Sequence, residues 1–234
     1  YTNSIMLFYN TFLPEKQQSM MARLTFSNTI NSVSNTVTYD EETGARITQP
    51  KNINGDWSAS GGFVFNTPLK NKKFTVSTFS DGSYNNMVGF TSLSGQTDSQ
   101  KNTTRSLNLS ERLNGTFRND WFEFGLNGGI RYNVSKSTLQ PQSDKETFDY
   151  SFGASSNVTL PWDVTVSTDA SYSMKRGYSE GLDRNELIWN AQIAKNFLKK
   201  KQATISLQIY DILKEQSNLS RSISASMRQD TEYN

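Results

Sequence analysis

Between Trp121 and Ser135 the chain reads WFEFGLNGGIRYNVS, and a period of two separates it into an oily and a wet face. Phe122, Phe124, Leu126, Gly128, Ile130, Tyr132 and Val134 share one side, while Glu123, Gly125, Asn127, Gly129, Arg131, Asn133 and Ser135 share the other. Aromatic residues stand at both ends of the oily side, with small or aliphatic residues between them. The stretch exceeds the roughly 9–11 residues that a tilted strand needs to cross a bilayer. It predicts a membrane-spanning β-strand whose neighbours complete a barrel.

Composition narrows the alternatives. Only 34% of the 234 residues are apolar, the mean hydropathy is −0.65, and no window approaches the roughly 18 apolar residues of a transmembrane helix. A helical membrane protein is excluded. An aromatic content of 12% fits poorly with disorder. A barrel with a polar lumen, polar loops and one apolar residue in two along each strand accounts for both observations. The absence of cysteine and histidine removes Ser-His-Asp and Cys-His nucleophile systems and the usual zinc sites. Nothing supports an enzyme, and neither metal nor cofactor is expected. A net charge of +2, with the basic residues scattered, gives no footprint for nucleic acid. The first residues, YTNSIMLFYNTF, have no signal-peptide pattern. An outer-membrane protein needs export, so either a signal has been removed or the chain is cut from a longer one.

The rest of the chain repeats the theme. A strand over Thr2 to Phe12 is apolar on both sides, so its lipid face stays unassigned. A second runs from Met20 and turns polar through Asn31 to Tyr39, as a strand continuing from membrane into solvent. Asp40 to Gly44 makes the hairpin, and the return strand is polar to Asn54 before Trp57, Ala59, Gly61, Phe63 and Phe65 line one face. Further strands follow at Phe74 to Phe90, Ser106 to Phe117, Trp121 to Ser135, Thr147 to Leu160, Val164 to Met174, Leu187 to Phe197 and Ala203 to Tyr210. Leu93 to Thr104 is expected as a long polar loop. Glu111 breaks the pattern by landing on an apolar face, and a bulge would turn it inward. Beyond Asp211 the chain looks polar and irregular.

These ten strands are joined by connections that alternate in length. They are short at Pro14, Asn71, Asn119, Pro161 and Lys200, and long at Glu41, Ser94 to Thr104, Ser137 to Glu146 and Lys175 to Arg184. Short turns belong on the periplasmic side and long loops outside. On that count the chain starts and finishes outside. At least one strand is then missing at the front, and Ser220 to Asn234 should be a loop leading to a missing last strand. The fold class is therefore an all-β antiparallel transmembrane barrel segment of about ten strands.

The run NELIWNAQIAKNFLKKKQATISLQIYDILKEQSNLSRSISASMRQDTEYN and the earlier YDEETGARITQPKNINGDW resemble the outer-membrane β-barrel family of Bacteroidota, whose members look like TonB-dependent receptors. Trp189-Asn190, Phe197 to Lys201 and Tyr210 to Leu213 match its last strands before a closing strand. The resemblance implies a longer protein with a signal peptide, a small carboxypeptidase-like domain, a plug, and a barrel of about 22 strands around a plugged lumen. Residues 1–234 then form the carboxyl-terminal part of the barrel, without plug or closing strand. It implies nutrient uptake at the cell outer membrane, with TonB engaged through the plug and a surface lipoprotein or other complex subunit as a further partner. The alternative is a non-transporting structural or assembly-platform barrel, and a secreted soluble all-β binding module is a third reading.

Trp57, Trp121, Trp162 and Trp189 are expected as a membrane girdle at headgroup depth rather than as stacking platforms. Lys199 to Lys201 read as a solvated turn attracted to lipid headgroups, and Asp40, Glu41 and Glu42 as a solvated tip rather than a calcium site. Arg131, Asn133, Asp149, Asn157 and Asp169 fall on wet faces and are the candidate substrate-facing lumen residues. Their plainer role is to satisfy neighbouring side chains or a plug.

Overall fold

The computed structural model describes residues 1–39, 45–69, 72–92, 98–178, 183–197, 202–216, 218–223 and 228–233. Its strands are β1 (Thr2–Leu13), β2 (Gln18–Thr29), β3 (Ser32–Tyr39), β4 (Arg46–Ile53), β5 (Asp56–Pro68), β6 (Phe74–Thr91), β7 (Gln100–Arg118), β8 (Phe122–Ser137), β9 (Lys145–Leu160), β10 (Val164–Arg176), β11 (Arg184–Phe197), β12 (Ala203–Ile209), β13 (Asn218–Ile223) and β14 (Arg228–Tyr233). Ten of them form one sheet in the order β1-β2-β5-β6-β7-β8-β9-β10-β11-β12. Every neighbouring pair is antiparallel, and each register runs without a slip.

The alternation read along β8 extends across the whole sheet. Ile130 opposes Glu111 on β7 and Tyr150 on β9, and Glu111 opposes Ser80 on β6. Following these pairs outward puts Ile5, Leu7, Leu24, Phe63, Leu109, Leu113, Leu126, Phe152, Ile193 and Leu207 on one apolar face. The lipid side of β1 is thereby assigned to Ile5, Leu7 and Tyr9. Most of these side chains lie open, Leu126 and Leu113 each at 55%. Among the described residues only Ile53 and Val88 are buried apolar side chains, so no apolar layer of described residues backs the sheet. Moving a leucine-sized group from water to an apolar medium gains about 1.5–3 kcal/mol. That gain is realised here only when lipid covers the face.

Two aromatic belts frame the apolar band. At the end carrying the short turns, Phe74 packs on Phe117 with centroids 4.7 Å apart, and Phe117, Trp121, Phe122 and Phe124 continue the row. At the other end Trp57 stacks on Tyr84 at 5.1 Å beside Phe26, and Tyr132 meets Phe148 at 4.8 Å. Tyr132 lies ten residues above Phe122 on β8. At about 3.3 Å per residue and a tilt of about 40°, that is about 25 Å along the membrane normal, the height of the apolar band of an outer-membrane barrel.

The short turns are built locally. Asn119 Oδ1 accepts from the amides of Trp121 at 3.1 Å and Phe122 at 2.8 Å, a side-chain mimic of a turn that suits asparagine. The turn after β9 places Trp162 and Asp163 at φ of 67° and 59°, leaving the Trp162 ring 81% exposed.

Four expectations need correction. The polar stretches on either side of Asp40 to Gly44 do not prolong β2 and β5. They form a separate two-stranded sheet, β3 with β4. The break falls at Asn31, with φ of 54°, and at Gly55, with φ of 126°, and the Asn31 amide donates to Asn54 Oδ1 at 2.6 Å. Without apolar alternation nothing holds this segment in the wall, and it leans on β6 instead. The Phe90 amide donates to Ser34 Oγ at 3.1 Å, and the Ser99 amide to the Val37 carbonyl at 3.1 Å. Ile53 and Val88 are buried in this region.

The loop expected from Leu93 to Thr104 is shorter, because β7 already pairs with β6 at Gln100. No bulge turns Glu111 inward: the register passes through it unbroken, and its carboxylate stays on the apolar face, accepting from the hydroxyls of Thr78 and Ser80. Finally, the segment expected to be irregular beyond Asp211 contains the β13–β14 hairpin. The tip at 40–44, Lys70 and Asn71, and Lys199 to Lys201 lie outside the described residues.

Candidate functional site

The polar face carries the chemistry. One register line crosses it as Phe8, Arg23, Gly62, Asp81, Ser110, Arg131, Asp149, Lys175 and Arg184, each opposite the next on the neighbouring strand. The line climbs as it goes. Arg23 is five residues from the short-turn end of β2, whereas Arg131 is nine from that end of β8 and Lys175 eleven from that end of β10. Charges of alternating sign from Arg23 to Lys175 therefore ascend the wall toward the long loops.

Around the upper part of this line the acidic groups are engaged. Asp149 accepts from Tyr178 Oη at 2.8 and 3.1 Å, and Lys175 Nζ lies 3.7 Å from the buried Glu186. Arg23, Arg112 and Arg131 form no ion pair among the described residues. Arg112 stands one step diagonally from Arg131, since Ser110 is the residue opposite Arg131 and Gly129 the one opposite Arg112. Two shallow hollows follow the line. One of about 320 Å³ is lined by Asp81, Arg112, Arg131, Asp149 and Lys175, and one of about 380 Å³ by Arg23, Asp81, Asn108, Arg131 and Asn133.

Of the residues singled out from sequence, Arg131 and Asp149 face each other directly in this line. Asn133 is one step above and donates to the fully buried Thr147 Oγ1 at 3.3 Å. Asn157 and Asp169 share the face but sit toward the short turns, where Asn157 accepts from Ser167 at 3.4 Å and Asp169 from Asn190 at 2.8 Å. They are not brought to the hollows. Arg23, Asp81, Arg112, Lys175 and Tyr178 carry no such signal in the sequence, because alternation gives a residue's face and only register gives its line. Of the four tryptophans, Trp57 and Trp189 are on the apolar face, the Trp189 indole donating to Thr168 Oγ1 at 2.8 Å. Trp121 and Trp162 stand at the short-turn end. Among the described residues no group of three or more His, Cys, Asp or Glu gathers to hold a metal ion.

A model described as the outer membrane protein beta-barrel family matches residues 97–234. The chain belongs to that family. No curated protein matches the chain. As an outer-membrane barrel wall, the sheet turns its apolar face to lipid, because charged groups at mid-bilayer cost about 2–4 kcal/mol each, and its polar face lines the lumen. A hollow of about 720 Å³ beside Leu24, Phe63, Leu109 and Ile130 lies on the lipid face over Gly61 and Gly82 and is space for acyl chains.

The long-loop end of the barrel is anchored by Asn102, which is 1% exposed. Its Oδ1 accepts from Ser137 Oγ at 3.1 Å, Thr138 Oγ1 at 3.0 Å and the Leu139 amide at 3.1 Å. At about 1 kcal/mol per hydrogen bond, Asn102→Ala should free this loop. Proteolysis between Thr138 and Asp144 on intact cells is expected to accelerate at least about tenfold, and an unchanged rate would refute the anchoring role.

Gly177 occupies φ of 77°, and a Cβ there would lie 2.0 Å from the Glu146 carbonyl oxygen. Gly177→Ala is therefore expected to cost about 1–3 kcal/mol locally. Hydrogen exchange should rise at Thr147 and Tyr178 while the strand centres keep their protection.

Proposed function

We propose that this barrel wall is part of a TonB-dependent receptor of a Bacteroidota outer membrane, taking up a nutrient through a plugged lumen. The observation that carries the reading is the ascending charged line. A wall built only to hold a shape has no use for guanidinium groups without acidic partners, whereas a permeation path needs polar groups that a passing solute can engage. Support also comes from the sheet, whose ten strands leave β1 and β12 unpaired with each other among the described residues. An open wall of this width suits a barrel of many more strands, wide enough to hold a plug. The sequence of the last strands resembles such receptors. TonB reaches the barrel through the plug, and a surface lipoprotein is a fitting partner at the long loops.

The test is energised uptake. In the native host, deletion of this gene should slow growth on a nutrient that the wild type uses, and removal of TonB or collapse of the proton gradient should reproduce the defect. Uptake that persists without TonB would overturn the proposal.

A further inference from the structure

The lumen wall is mostly polar, but its β1–β6 side departs from this, with Met6, Phe8 and Phe12 on that face of β1. Met21, Val64 and Phe79 oppose one another in sequence across β2, β5 and β6, and Phe79 directly opposes Arg112 on β7. All lie on the polar face, one step toward the short turns from the charged line. Met21 is 40% exposed, and Phe8, opposite Arg23 on β1, is 61% exposed. An apolar strip about 10 Å wide, two strand spacings, thus abuts three arginines that no acidic side chain pairs among the described residues.

Within the strip's margin the groups fall into a simple order. Phe79 and Arg112 are direct cross-strand neighbours, Arg131 follows one diagonal step further, and Arg23 closes the strip on its upper side. Asp81 lies between Arg23 and Arg131 on the charged line. The other three charged residues lining the hollow of about 320 Å³ have partners already, Asp149 in Tyr178, Lys175 in Glu186, and Glu111 in Thr78 and Ser80 on the lipid face. Gly129, opposite Arg112 and two residues from Arg131, provides a low floor beside both, with Ser151 next to it on β9. Guanidinium pairs recognise carboxylate and phosphate oxygens through charge-assisted hydrogen bonds, and a flat apolar strip beside them recognises a hydrocarbon or aromatic body.

We infer that the lumen wall holds a binding site for an amphipathic anion, a solute joining a carboxylate or phosphate to an apolar body. The apolar body lies over Met21, Val64 and Phe79, and the anionic group reaches Arg112 and Arg131, with Arg23 flanking. The inference rests on the uptake reading for its biological sense, but binding itself needs neither TonB nor energy.

The probe is 1-naphthyl phosphate, followed by its fluorescence with the complete protein in lipid nanodiscs. Saturable binding is expected, at least about tenfold tighter than for inorganic phosphate or 1-naphthol alone. Arg112→Gln and Arg131→Gln should each weaken it about tenfold or more, and Phe79→Ser by a similar factor. Arg131→Lys should retain part of the affinity, and Asn157→Ala, on the same face but outside both hollows, should retain all of it. Heat-modifiable electrophoretic mobility identifies the variants that have folded. Absence of saturable binding, equal affinity for the two half-molecules, or wild-type affinity in both arginine variants overturns the site. So does binding that appears only after a segment filling the lumen is deleted, since the arginines would then serve that segment. Loss of TonB dependence with binding intact would overturn the uptake reading and leave the site standing.

Discussion

Leu126→Arg should prevent the barrel from accumulating in the outer membrane. Leu126 is on the apolar face, 55% exposed, four residues above Phe122 on β8 and so near the middle of the lipid-facing band. Gly115 and Ala154 are its cross-strand neighbours, and neither carries a side chain that could accept a guanidinium hydrogen bond. A cation there costs about 2–4 kcal/mol, and the leucine's contact with lipid is lost as well. Asn127, the next residue, points to the lumen, where Ala at the same strand position breaks no membrane rule. Urea titration in detergent or lipid vesicles, with heat-modifiable mobility as the readout, should show Leu126→Arg shifted far below wild type and Asn127→Ala close to it. Equal behaviour of the two would contradict the assignment of faces.

The second large effect concerns Glu111. A carboxylate on the lipid face is an anomaly that the structure resolves with two hydroxyls, Thr78 and Ser80, both from β6 and both on the same face. Removing donors from a carboxylate in an apolar setting costs more than the net worth of the bonds, because the group is left desolvated and unmatched. Thr78→Val with Ser80→Ala should therefore destabilise the barrel by about 1–3 kcal/mol for each hydroxyl lost. Glu111→Leu added to that pair should recover most of the loss, since an all-apolar patch needs no partners. A triple variant as unstable as the double would show that the hydroxyls matter for something other than the carboxylate. A double variant as stable as wild type would remove the account altogether.

Much of the wall was legible in the sequence because lipid imposes a strict rule on alternate residues. Phe122 to Val134 could be assigned a face from side-chain type alone, and the same held for β9, β10 and the lower part of β5. The rule fails where lipid does not reach. The β3–β4 hairpin and the β13–β14 hairpin are polar sequences, and their pairing is dictated by backbone hydrogen bonding that leaves no periodic mark. Glu111 stands out in the sequence as an exception, for which a bulge is the expected remedy. Two hydroxyls on the adjacent strand served instead, and their proximity depends on a register that no single strand reveals. The lumen site suffered from the same limit. Arg131 and Asp149 were picked out as polar residues on wet faces. That Arg23, Asp81 and Lys175 stand on the same line follows only once the strands are set side by side.

The hairpin of β3 and β4 also bears on how the wall assembles. Every other neighbouring pair in the ten-stranded sheet joins strands that are consecutive in the chain, so each can close as a local hairpin with little loss of chain entropy. The pairing of β2 with β5 is the exception, since it must bridge the inserted segment between Thr29 and Asp56. Because β3 and β4 pair with each other and Asn31 is tied to Asn54 at 2.6 Å, the insertion brings its own ends together before β5 docks. The effective loop then shrinks to a few residues, and closure entropy falls with it. Zippering from β1 to β12 can proceed at a nearly uniform contact order, and the slow step moves to the formation of the inserted hairpin itself. Substitutions that loosen Asn31, Asn54 or Gly55 should therefore retard folding more than they lower the stability of the finished barrel.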